Sequence, residues 1–393
     1  MNNILLDLGT QPLVGNLCLS KEESLQAKKY PLKAHYNKDL KINLDTEIKP
    51  SILYEKYSYH SGVNKPYIKH CEDMYSSFKH LKSNTIIDIG GNDGTLLKTF
   101  KRLEDINISS DASKTKRYIN VDASKSFNSI NIKSGIEYKQ AFFSDKIDLP
   151  KADIITSTNV FQHTKDIDSF LKGIVKHLDG VWILEFPYTF NTINTLQFDQ
   201  FYHEHYYYWL LTPLEKLFNK YGLKIIYLAE NAIHGGSLRI WSTTKDISGP
   251  IPIEAINTYK RNESKLKIES FNQDVYNLIS DARNYIYNLA GKTIFFGAAH
   301  KGCVFLNSLG ININTMQDAY IVDDTVAKQG LYMPGTGFKI HSREKLIKDD
   351  VQNIIILPHN FGNHIANSLR YDINKEVIFK GKLITMLPKI ELH

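Results

Sequence analysis

Thr85-Ile86-Ile87-Asp88-Ile89-Gly90-Gly91-Asn92-Asp93-Gly94-Thr95-Leu96-Leu97-Lys98-Thr99-Phe100 reads as a buried strand, a glycine turn and the opening of a helix. Glycines let the backbone pass close to a ligand through conformations that a Cβ forbids, and a helix amino terminus offers unpaired N–H groups. The turn is of a nucleotide-binding type. It lacks the GxGxxG spacing of a dinucleotide site, and no Gly-Lys-Ser/Thr follows as in a P-loop. A strand-to-helix turn without a ligand is the structural alternative.

Working outward, Tyr118-Ile119-Asn120-Val121-Asp122 is a second strand, ending in a carboxylate about 30 residues after the glycine turn. An acid there is placed to accept from both ribose hydroxyls of an adenosine, since ligands sit at the carboxyl ends of such strands. Ser109 to Lys116 is polar and reads as an exposed insertion. Strands over Ala152–Asn159 and Val181–Glu185, with a helix over Asp168–His177 between them, continue the alternation. Alternating strands and helices imply an α/β, doubly wound parallel sheet. A short amphipathic helix over His70–Leu81 precedes it, with Met74, Phe78 and Leu81 at helical spacing.

Asp199-Gln200-Phe201-Tyr202-His203-Glu204-His205, followed by Tyr206-Tyr207-Tyr208-Trp209, concentrates a phenol, a carboxyl and two imidazoles beside an aromatic run. Imidazole takes and returns protons near neutral pH, so the cluster is a candidate acid/base site. The alternative is an aromatic-rich helix start whose polar side chains satisfy one another. Farther on, His234-Gly235-Gly236-Ser237-Leu238-Arg239 is either a plain hairpin turn or a place where backbone and Ser237 approach a ligand, with Arg239 for an anion.

The chain of 393 residues has 42% apolar and 23% charged residues, a formal net charge of +6 and 3 cysteines. That length suits two or three domains. Lysines and carboxylates are interspersed, so the charge suits an anionic small substrate and argues against nucleic acid, which calls for a basic stripe. Cys18, Cys71 and Cys303 form no CxxC pair, which speaks against a disulfide framework or a four-thiolate zinc site. The amino terminus lacks a leader pattern and no stretch suits a bilayer span, so a cytoplasmic protein with no membrane partner is expected. Residues 1–70 read as a small irregular module that packs on the domain after it, 71–250 as the main α/β domain, 251–290 as a helical connector, and 291–393 as a second, smaller α/β domain. The oligomeric state, monomer or dimer, is open.

In this order the pieces resemble the sugar C-methyltransferases that act on nucleotide-linked 4-keto-6-deoxy sugars with S-adenosylmethionine. The resemblance runs through Leu6-Asp7-Leu8-Gly9-Thr10-Gln11-Pro12-Leu13, the glycine turn, Asn159-Val160-Phe161-Gln162-His163, Phe198 to His205, the His234 to Arg239 segment, Val322-Asp323-Asp324, Lys328-Gln329-Gly330 and Pro334-Gly335-Thr336. It implies a central class I methyltransferase (Rossmann-like) domain, a small amino-terminal module and a second, smaller Rossmann-like carboxyl-terminal domain that helps hold the nucleotide sugar. The donor would be held by Asp88, Gly90, Gly91, Asn92, Gly94, Asp122 and Asn159. His205 would be the base, Tyr202 a hydrogen-bond donor to the keto or enolate oxygen, Glu204 a group orienting an imidazole or contacting the sugar, and His163 a second oxygen partner. If the segment is helical, Tyr202 and His205 share a face. Tyr57, Tyr59, His234, Gly235, Ser237, Arg239 and Lys301 are candidate substrate contacts.

The family usually carries four zinc-binding cysteines in its first module. Here the chain starts almost at Leu5-Leu6-Asp7, and Tyr30-Pro31-Leu32 leads into Lys33 to Asp39 without a cysteine. His35 and Cys18 alone cannot complete a tetrahedral site, so no zinc or other metal is expected. Two other readings stay open, O-methylation of a nucleotide-sugar hydroxyl and a catalytically inactive nucleotide-sugar-binding protein.

Overall fold

The computed structural model describes residues 3–46, 48–49, 52–53, 62, 65–107, 116–246, 251–371 and 378–393. Tyr57 and Tyr59, and the expected insertion up to residue 115, lie outside the described residues.

Among the described residues, β1 (Asn3–Pro12), β2 (Lys29–Tyr36) and β3 (Ile42–Leu44) form an antiparallel meander. Its inner face, including Leu5, Leu6, Leu32, Ala34 and Ile42, belongs to the main hydrophobic core. The module therefore packs mainly into a shared core, as its size would suggest, with one small cluster of its own formed by Leu13, Ile48, Leu53 and Tyr30. It is tied at both ends. Tyr276 Oη donates to the Asp7 carbonyl at 2.6 Å from the helix Phe271–Tyr287, and Ser24 Oγ donates to the Met333 carbonyl at 2.5 Å.

The central sheet begins with β4 (Thr85–Ile89), β5 (Arg117–Asp122), β6 (Glu137–Gln140), β7 (Ala152–Thr158) and β8 (Leu178–Pro187), all parallel to one another. After the two-residue β9 (Tyr207–Tyr208) come β10 (Lys224–Asn231) and β11 (Ser237–Thr243). The order is β10-β11-β8-β7-β4-β5-β6, with β11 antiparallel to both neighbours, which is the class I methyltransferase arrangement. Ile86, Ile87, Asp88 and Ile89 are all buried because helices cover both faces. Met74, Phe78, Leu97 and Phe100 pack on one side, and Phe170, Ile174, Leu214 and Phe218 on the other. The first of these helices spans Lys65–Phe78, earlier than expected from periodicity. The direction of winding reverses beside β4, so its carboxyl end faces the crevice where ligands of such sheets bind.

The connector consists of Ile253–Glu263 and Phe271–Tyr287. Buried Glu263 anchors it, accepting from Tyr188 Oη at 2.6 Å and from the backbone N–H groups of Leu211 and Thr212 at 2.5 and 2.8 Å. The last domain holds β12 (Thr293–Phe296), β13 (Ile321–Val322), β14 (Ile340–His341), β15 (Asn353–Ile356), β16 (Lys382–Thr385) and β17 (Glu391–Leu392). Their order is β14-β13-β12-β15-β16-β17, parallel except for β17. No helix among the described residues is long and apolar enough to cross a membrane.

Candidate active site

The segment after Phe198–Gln200 does not continue as a helix. Tyr202 to His205 is a turn closed by the His205 N–H donating to the Tyr202 carbonyl at 3.0 Å, and the chain then runs straight into β9. The helical expectation fails because β9 must be extended, with Tyr207 opposite Asn43 and Tyr208 opposite Ile42, closing the amino-terminal sheet. The turn nevertheless brings Tyr202 and His205 together, ring centroids 4.0 Å apart.

His205 Nδ1 donates to the Gln200 carbonyl at 3.2 Å, which leaves Nε2 as the proton acceptor of a neutral ring. Burial, then the nearby His163, pushes the His205 imidazolium well below its ordinary pKa. His163 stands edge-on at 4.7 Å and is itself pushed down to about 4 by burial. It lies in the Phe161–His163 turn after β7, not within a strand. His203 faces away, donating from Nε2 to the Pro31 carbonyl at 3.1 Å and standing edge-on to Tyr30. Glu204 is buried and pushed up to about 8 by that burial, with Oε1 3.7 Å from His300 Nδ1. The aromatic run is core: Tyr208 stacks on Phe201 at 4.2 Å and Trp209 on Phe161 at 4.9 Å.

His300 was not legible as a site residue. It opens the helix His300–Ser308 after Gly297-Ala298-Ala299 at the carboxyl end of β12, and its ring stands edge-on to Tyr202 at 5.8 Å. A histidine directly after a small-residue turn at a parallel strand's end was the available signal.

The candidate substrate contacts after β10 are engaged within the protein. His234, with φ 56°, accepts through its carbonyl from Gln200 Nε2 at 2.5 Å and from Lys301 Nζ at 2.9 Å. Lys301 is buried, which pushes it down to about 8. Gly235, with φ 89°, is held against Gln197, whose Oε1 would lie 2.0 Å from an added Cβ. Ser237 Oγ donates to the Ile233 carbonyl at 3.1 Å. The Arg239 guanidinium is spent on buried Glu185, Nε to Oε2 at 2.8 Å, and lies 3.2 Å from His70. A carboxylate at that distance already fills the anion role read from the sequence.

At the carboxyl end of β4, an added Cβ on Gly91 would stand 2.5 Å from Asn120 Oδ1 and 2.6 Å from Asp88 Oδ2. Those two atoms and Asn159 Oδ1 are buried acceptors with no hydrogen-bond partner among the described residues. Gly90, with φ 67°, and Gly94, with φ 78°, make room for Val160 and Asn131. Asn92, also left-handed at φ 54°, donates its N–H to Asp122 Oδ2 at 2.9 Å, while Ser124 N–H donates to Oδ1 at 2.9 Å. Each carboxylate oxygen keeps acceptor capacity, and burial raises the Asp122 pKa. Burial likewise pushes Asp88 up to about 7, against the bond from Thr156 and with Asp122 adding to the rise. Orphaned acceptors around a turn that excludes a side chain fit the ammonium and ribose of S-adenosylmethionine.

In the amino-terminal module His35 Nε2 lies 2.6 Å from Asp45 Oδ2. Among the described residues, no group of three or more His, Cys, Asp or Glu is gathered that could hold a metal ion.

Residues 69–228 match the family described as a methyltransferase domain, and residues 232–388 match the C-methyltransferase C-terminal domain. The C-methyltransferase NovU of Streptomyces niveus is 24% identical over 406 residues, spanning 98% of this chain and 92% of that protein. Among solved structures, an S-adenosylmethionine-dependent methyltransferase from Clostridium acetobutylicum ATCC 824 is 14% identical with a TM-score of 0.36, covering 46% of this chain and 92% of that one. The 1,6-didemethyltoxoflavin-N1-methyltransferase of Burkholderia thailandensis is 12% identical with a TM-score of 0.38, covering 54% and 99%. With the methyltransferase domain and the C-methyltransferase C-terminal domain matched in the expected order and a likeness to NovU along the whole chain, the protein is an S-adenosylmethionine-dependent C-methyltransferase.

Proposed function

We propose that this C-methyltransferase methylates a ring carbon beside the ketone of a nucleotide-linked deoxy sugar, through an enolate. The observation that carries the reading is the Tyr202–His205 pair, rings 4.0 Å apart, with His205 Nδ1 committed to the Gln200 carbonyl. A proton next to a ketone becomes removable when a base takes it while a donor stabilises the oxygen. His205 Nε2 is the base and the Tyr202 hydroxyl holds the oxygen, with His163 beside them as a second oxygen partner. The apolar surroundings keep His205 neutral and ready to accept.

Gly90, Gly91, Asn92, Gly94, Asp88, Asp122 and Asn159 hold S-adenosylmethionine, which supplies an electrophilic methyl when bound. Asp122 accepts from the ribose, and the acceptors flanking Gly91 take the ammonium. The nucleotide sugar enters between the central and last domains. His234 and Lys301 shape that wall from within, while Arg239 supports it through Glu185.

Incubation with S-adenosylhomocysteine and a nucleotide-linked keto sugar in deuterated water tests the reading. Exchange of the proton α to the ketone, lost on replacing His205, is expected there, and a carbon-bound product methyl in NMR when S-adenosylmethionine replaces S-adenosylhomocysteine. A methoxy product without exchange identifies O-methylation instead.

A further inference from the structure

The reaction leaves a proton behind, and the buried base has to be rid of it. The substrate C–H bond breaks, its electron pair passes into the enolate and then into the new carbon–carbon bond as the donor's methyl carbon–sulfur bond breaks and leaves its pair on sulfur, and the proton stays on His205 Nε2. The proton on Nδ1 is held by the Gln200 carbonyl, and the residue is only 3% exposed. A second turnover waits until Nε2 is emptied.

Most imidazoles nearby are poorly placed to carry that proton out. A relay needs two ring nitrogens, one to receive and one to release. His203 spends Nε2 on the Pro31 carbonyl, and His163 spends a ring N–H on the carbonyl of Glu204. His300 differs. Among the described residues it makes no hydrogen bond, its side chain is 30% exposed, and Nδ1 faces Glu204 Oε1 at 3.7 Å. The Tyr202 ring neighbours both imidazoles, its centroid 4.0 Å from that of His205 and 5.8 Å from that of His300. On the other side the amino-terminal module comes close at Gly15. A Cβ there would stand 3.3 Å from Glu204 Oε1 and 3.6 Å from His300 Nε2, so backbone without a side chain lines the outer edge of the pair.

We propose that His300 of the last domain, paired with Glu204, is the proton outlet of the active site, taking the proton from His205 by way of the Tyr202 hydroxyl and releasing another from its second ring nitrogen to water. The proposal rests on the reading of His205 as the base. Glu204 offsets the charge while His300 carries two protons, and its ionised form is available in the alkaline part of the working range. Burial, then Lys328 of the last domain and His163 of the central one, push the His300 imidazolium down to about 3, so a proton does not linger there. Neither proton nor electron is created or consumed along the path.

The test is rapid-quench kinetics on the full chain with labelled donor and a nucleotide-linked keto sugar. In His300→Ala and the milder His300→Asn, the first turnover should proceed at the parental rate, giving a burst of one product per protein. Later turnovers should slow about tenfold or more, and added imidazole should restore them for His300→Ala. Loss of the first turnover in step with the later ones would make His300 structural, and parental later turnovers, or no recovery with imidazole, would also overturn the proposal. His205→Ala separates the two readings. It removes the burst itself if His205 is the base, and a burst that persists in it refutes the base assignment whatever His300 does.

Discussion

His359 Nε2 lies 3.1 Å from Asp199 Oδ2, joining the last domain to the turn that leads into Tyr202, with both side chains buried. Burial alone would raise Asp199, but His359 and then Lys301 hold it below its ordinary value. Removing one partner of such a pair leaves a buried polar group unanswered. Asp199→Ala should lose about 3 kcal/mol of stability, measured by urea denaturation.

Glu185 gives the fold an acid limit. Burial would raise it, but His70 and then Arg239 hold it below the ordinary range. A depressed carboxyl contributes stability that is complete above its unfolded pKa of about 4.3 and is lost as pH falls through the lowered folded value. Melting temperatures recorded downward from pH 6 should fall below that point, and Glu185→Gln should flatten the fall while lowering stability at neutral pH.

Glu204 has the opposite sign. Burial pushes it up to about 8, so its contribution is fully present below the unfolded value and is lost as pH rises through about 8. Glu204→Gln, which cannot ionise, should melt higher than the parent at pH 9. An equal loss of stability with pH in both proteins would contradict this.

Replacing the pair at the reaction centre should separate chemistry from binding. His205→Gln should cost turnover about a hundredfold or more and Tyr202→Phe less, with affinity for S-adenosylhomocysteine unchanged in calorimetry. Parental turnover in His205→Gln would move the base elsewhere.

Donor affinity should depend on the Asp122 carboxylate. Asp122→Ala should weaken S-adenosylhomocysteine about tenfold or more, the range for a bond to a charged group. Because burial raises the Asp122 pKa, affinity should fall as the solution is made acidic enough to protonate it, and the variant should lack that dependence.

Much of the central domain was legible because its strands are short apolar runs punctuated by glycine and a carboxylate. Ile86 to Ile89 and Tyr118 to Val121 are buried as their composition requires. The candidate site was legible in residue type more than in geometry. A helix would have put Tyr202 and His205 on one face, whereas a turn unites them. Arg239 read as an anion ligand because its partner, Glu185, lies on a separate strand 54 residues earlier. His300 went unnoticed for the same reason, since its neighbours Tyr202 and Glu204 come from another domain.

β9 ties the Tyr202–His205 turn to the first sheet, and this has a consequence for synthesis. Residues 42–44 leave the ribosome long before their partners at 207–208, so the amino-terminal sheet waits with an open edge while residues 45–206 are made. Native pairing at that edge and the correct shape of the Tyr202–His205 turn then arise together. A hybrid enzyme that exchanges the first module must carry matching residues at 207–208, because the seam of inheritance is not the linear boundary between modules.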